Sequence, residues 1–94
     1  MSGIKGRLQA SQDVTIKANV GLANKVIWNI SQFGGCTFLG AVATIKAVEL
    51  SWNTQVTLMV SSESNGDIAL WVKSDIAQTL IIHVVAEFNK TVAV

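Results

Sequence analysis

The stretch Thr79-Leu80-Ile81-Ile82-His83-Val84-Val85-Ala86-Glu87-Phe88 decides the fold of this chain. In an extended strand, successive side chains point to opposite faces. Leu80, Ile82, Val84, Ala86 and Phe88 therefore share one face, and Ile81, His83, Val85 and Glu87 the other. Both faces are largely apolar, which predicts a central or covered strand. A strand of that kind needs neighbours on both sides and a second layer above it.

Upstream, those neighbours are legible as shorter alternating segments. Val14, Ile16, Ala18 and Val20 alternate with Thr15, Lys17 and Asn19, the pattern of a half-buried strand. Leu8 and Ala10 either begin that strand or form a short one of their own. Gly21 to Asn24 reads as a turn. Lys25 to Gln32 follows, with Val26, Trp28 and Ile30 against Ile27, Asn29 and Ser31. Gly34-Gly35-Cys36 breaks the alternation, and Thr37 to Leu39 reads as a short strand. Ala41 to Leu50 is ambiguous, because Val42, Ile45 and Val48 also fit helical spacing. Its β-branched content favours a strand over a helix.

Ser51-Trp52-Asn53-Thr54 reads as a turn, and Val56, Leu58 and Val60 then alternate with Thr57, Met59 and Ser61. Asn65-Gly66 between alternating segments is a strong hairpin signal. Its return strand places Ile68, Leu70 and Val72 opposite Ala69, Trp71 and Lys73. Thr91 to Val94 is expected to extend an edge. The tetrapeptide Thr15-Ile16-Lys17-Ala18 recurs as Thr44-Ile45-Lys46-Ala47, a faint echo of a structural repeat. Together these segments predict an all-β domain spanning residues 1–94, a compact antiparallel β-sandwich of about seven short strands, with a small β-barrel as the alternative.

Composition bounds the function. Only 14% of the 94 residues are charged and the net charge is +1, against about 25% charged residues in an average globular chain. Such a surface repels its own copies weakly. The chain also contains no proline, so one common means of blunting sheet edges is missing. A homo-oligomer is the resulting expectation. Lys5, Arg7, Lys17, Lys25, Lys46, Lys73 and Lys90 are scattered among six acids, without the basic stripe that nucleic-acid binding requires. Cys36 is the single cysteine, so no intrachain disulfide is possible. No hydrophobic signal core is present near the N-terminus. No apolar run approaches the roughly 18 residues of a membrane helix. Cytoplasmic synthesis without a signal peptide, and no membrane insertion, are expected; Asn29-Ile30-Ser31 and Asn89-Lys90-Thr91 then carry no glycosylation meaning.

Chemistry-bearing motifs are scarce. Cys36 and His83 are too few for a zinc site, and Glu63, Asp67 and Asp75 lack the spacing of a calcium loop. Cys36 would act as a nucleophile only if the fold delivered His83 to it. The glycines at 35 and 40 lack the lysine and hydroxyl of a phosphate loop. No catalytic residue, metal or cofactor is expected. Tryptophans carry the remaining signal. Trp28 shares a face with apolar residues and is expected in the core. Trp52, beside Asn53, and Trp71 are candidates for glycan or partner contact. Trp71, Ile81, His83 and Val85 are the expected self-association interface. The sequence thus favours a non-enzymatic structural protein, of the kind found in a virion or tail, with a carbohydrate-binding module or adhesin domain as the alternative.

Overall fold

The computed structural model describes residues 4–29, 36–50 and 55–92. These form six strands: β1 (Ile4–Ala18), β2 (Ala23–Trp28), β3 (Cys36–Val48), β4 (Val56–Ser62), β5 (Ile68–Ser74) and β6 (Gln78–Val92). They make two three-stranded antiparallel sheets, ordered β1-β6-β3 and β2-β5-β4. The two sheets pack face to face as a sandwich, and neither closes into a barrel. No helix among the described residues is long and apolar enough to cross a membrane.

β6 is the central strand of the longer sheet, as its two apolar faces predict. Leu80, Ile82, Val84 and Ala86 are completely buried, and Phe88 nearly so. Against them pack Ile68, Leu70 and Val72 from β5, the central strand of the shorter sheet. Trp28 reaches the core at the end of β2, as expected, and meets Phe88 edge-on with ring centroids 6.4 Å apart. Phe38 completes this aromatic group, 5.7 Å from Phe88. Fifteen extended residues in each of β1 and β6 at about 3.3 Å per residue account for the 55 Å long axis of the molecule.

The expectation of about seven short strands is corrected to six among the described residues, three of them long. Leu8 and Ala10 belong to β1 without a break in register. Thr37–Leu39 and Ala41 onward belong to one strand, joined through a bulge between Phe38 and Gly40. A second bulge lies between Ile45 and Ala47. Each extra residue shifts the alternation by one, so the inward positions run Phe38, Ala41, Ala43, Ile45, Val48. Within the helical-looking spacing, Ile45 and Val48 share the inner face across the second bulge, whereas Val42 faces outward. Thr91 and Val92 extend the central strand β6 rather than an edge.

Two further expectations fail for local reasons. Val20 lies beyond the end of β1 and is 67% exposed. A bulge between Val26 and Trp28 turns Val26 outward while Trp28 stays buried. Residues 30–35 and the expected turn at 51–54 lie outside the described residues. The Asn-Gly signal holds: β4 and β5 form a hairpin closed by Glu63 N donating to Asp67 O at 2.7 Å. Asn65 Oδ1 accepts from Asp67 N, and Gly66 takes a positive φ of 93°, which glycine adopts without penalty.

One end of the sandwich is closed by polar groups. Buried Gln78 donates to the Ser74 hydroxyl at 3.4 Å and accepts from Leu50 N at 3.2 Å. Ser74 N donates to Asn19 O at 2.8 Å. These bonds satisfy two buried polar side chains and tie three chain reversals together.

Candidate interaction surfaces

The two outer faces of the sandwich carry the sequence-derived candidates, and they separate them. Ile81, His83 and Val85 lie on the outer face of the long sheet, half-buried. Trp71 lies on the outer face of the short sheet, opposite Asn24 on β2 and Met59 on β4. The four do not form one continuous interface, because β5 and β6 belong to different layers. Trp52 and Asn53 lie outside the described residues.

On the long sheet, register builds a charged group that strand patterns alone did not reveal. Asp13 stands directly opposite His83, and β3 runs along the other side of β6. Asp13 Oδ1 lies 2.8 Å from His83 Nδ1. With the carboxylate ionised, the ring nitrogen is the donor. Lys46, on the outer face at the second bulge, reaches across β6 to Asp13 Oδ2. The hydrogen bond from Lys46, then that from His83, holds the Asp13 carboxyl below the usual carboxylate range. A second exposed pair joins Arg7 and Glu87 at 3.2 Å. Between the two groups lies an apolar patch of Val85 and Val42, the latter 66% exposed.

The short sheet presents a different surface. The indole of half-buried Trp71 donates through Nε1 to the Ser61 hydroxyl at 2.8 Å. Met59 and Val26, about half exposed, flank it on the two neighbouring strands. The result is an apolar strip across three strands with amide and hydroxyl groups at its margin.

The Cys36–His83 pairing weighed from the sequence is not assembled. Cys36 stands opposite Lys90 and faces inward, half-buried against the core. His83 is seven residues away along β6 on the outer face, roughly 20 Å in an extended chain. Glu63 and Asp67 sit at one end of β5 and Asp75 at the other. Among the described residues, no group of three His, Cys, Asp or Glu side chains is close enough to hold a metal ion.

The edges of the two sheets form the third candidate surface. β1 and β3 flank β6, and β2 and β4 flank β5, so all four are edge strands. They differ in regularity. β2 carries one bulge, β3 carries two, and β4 is only seven residues long. β1 keeps an unbroken register from Ile4 to Ala18. No family model, curated protein or solved structure matches this chain.

Proposed function

We propose that this chain is a non-enzymatic structural protein that assembles with copies of itself through its β-sheet surfaces, as a building block of a larger particle such as a virion or tail. One observation carries the reading: β1 is a fifteen-residue edge strand without a bulge, in a chain without proline. Long regular edges template pairing with another chain, and proteins that stay apart blunt them. The low charge of the chain supports the same reading, since little repulsion opposes association. The expected outcome of light scattering over a wide concentration range is a defined oligomer that persists on dilution. A monomer at the highest concentration would remove the reading.

A second reading, glycan capture on the short sheet, is favoured by the surroundings of Trp71. Its ring lies beside Asn24 and Ser61 on a face open to solvent, and sugars stack on such rings while amides and hydroxyls read their hydroxyl groups. A glycan array separates the two readings. Retention lost in Trp71→Ala supports capture, and no retention leaves assembly alone.

A further inference from the structure

The main-chain direction of β1 can be deduced from three bonds. On β6, Thr79 O accepts from Glu49 N at 3.1 Å, and His83 O accepts from the Thr44 hydroxyl at 3.5 Å. Both donors come from the β3 side. Odd-numbered residues of β6 therefore aim their N–H and C=O groups at β3, and even-numbered ones at β1, since the direction alternates along a strand. Even residues of β1 stand opposite even residues of β6, so they are the ones that bond to it. Odd residues of β1 face away from the sheet. Lys25 supports the direction independently, donating through Nζ to Thr15 O at 3.2 Å from outside.

Lys25 thus occupies one end of the edge. N-terminal to it, Arg7, Gln9, Ser11 and Asp13 point their main-chain groups outward, with exposed side chains on the outer face. Among the described residues, no main-chain bond is made to this outward edge. The sequence Arg7-Leu8-Gln9-Ala10-Ser11-Gln12-Asp13 is self-complementary about its centre. Set antiparallel to itself about Ala10, it brings Arg7 opposite Asp13, Leu8 opposite Gln12 and Gln9 opposite Ser11. Odd meets odd, so every outward donor finds an outward acceptor. Sliding by two residues moves the axis to Gln9 or Ser11 and parts Arg7 from Asp13. Sliding by one puts outward groups against inward ones.

We infer that two copies of this chain pair antiparallel along Arg7–Asp13 of β1 about a twofold axis at Ala10, with Arg7 of each facing Asp13 of the other. This pairing rests on the self-assembly reading and assigns it a surface. Two cross-strand ion pairs result, since a twofold interface repeats every contact. Each continues a run of alternating charge: Glu87 and Arg7 of one copy, then Asp13 with its own Lys46 and His83 on the other. The two long sheets join into a continuous six-stranded sheet. The outer faces, including Val42 and Val85, become one surface.

The test is a charge exchange between two full-length variants. Arg7→Asp alone and Asp13→Arg alone each place like charges opposite one another at two points of the dimer. Each is expected to self-associate at least about tenfold more weakly than wild type. Mixed together they form a heterodimer in which both ion pairs are matched, one reversed and one native. Native mass spectrometry should show that species, with an affinity restored to within about threefold of wild type. Ala10→Cys combined with Cys36→Ser supplies a second measurement that does not depend on the folding of either charge variant. Ala10 meets Ala10 in a non-hydrogen-bonded position, where Cα atoms lie about 4.5 Å apart, within disulfide reach. Mild oxidation of this variant should yield a covalent dimer. If wild type self-associates but neither charge variant weakens it and oxidation leaves the Ala10→Cys variant uncrosslinked, the β1 edge is wrong and self-assembly stands. If wild type stays a monomer at all concentrations, self-assembly itself fails and the edge pairing with it.

Discussion

β1 and β3 lie on either side of β6 and contain the same four residues, Thr-Ile-Lys-Ala, yet they make opposite kinds of edge. In β1 the tetrapeptide is regular: Lys17 stands opposite Thr79 in unbroken register. In β3 it is bulged, and Lys46 is the extra residue. Lys46 faces outward, as Lys17 does, and meets Asp13 across the central strand, while the bulge turns Val48 back to the inner face. The bulge also interrupts the main-chain groups that β3 would otherwise offer to another chain. Identical local sequence is thus compatible with an edge that invites pairing and one that resists it. The difference lies in the register each strand takes against β6.

The two flanks also differ in depth. Ile16 of β1 is 6% exposed, whereas its counterpart Ile45 is only partly buried. Ile16→Ala should therefore cost about 2–4 kcal/mol, near the cost of a large-to-small change in a packed core, and Ile45→Ala distinctly less. Urea unfolding of the two variants side by side checks the ordering. Equal costs would show that the bulged flank is packed as deeply as the regular one.

A smaller effect concerns how β1 is fastened to the opposite layer. Inward-facing Gln12 donates through Nε2 to Ile27 O at 2.6 Å, next to the bulge of β2. Ile27 is the extra residue of that bulge, and Gln12 supplies a donor to its carbonyl. Gln12→Ala should cost about 1–2 kcal/mol for a part-buried acceptor left without its partner. Faster hydrogen exchange confined to β1 and β2, with β3 and β4 unchanged, would mark the effect as belonging to this flank.

The smallest effect is the link between the flanks themselves. The Asp13 carboxyl titrates below its ordinary value because Lys46 and His83 donate to it. A depressed folded value adds stability above the unfolded value, near about pH 3.9, and that stability is lost as pH falls through the folded value. Asp13→Asn should therefore lower the urea midpoint slightly at about pH 5, and the gap from wild type should close by about pH 2. The group is exposed, so salt should shrink the gap as well. A gap that persists in acid would show that Asn disturbs the strand rather than the charge.

Local patterning was enough to settle the all-β class, the central position of β6 and the hairpin at Asn65-Gly66. Each of these is a property of one segment: a period of two, a turn dipeptide, an apolar face. Whatever depends on register between distant strands was settled only by the packed sheets. They joined Leu8 to β1 and merged two segments across Gly40. They set Val26 outside and Trp28 inside one short strand. They placed Trp71 on one outer face and Ile81, His83 and Val85 on the other, and brought Asp13, His83 and Lys46 together. A bulge of one residue reverses every side chain beyond it. Its cause is the fit of a whole sheet to its neighbour, which no single segment contains.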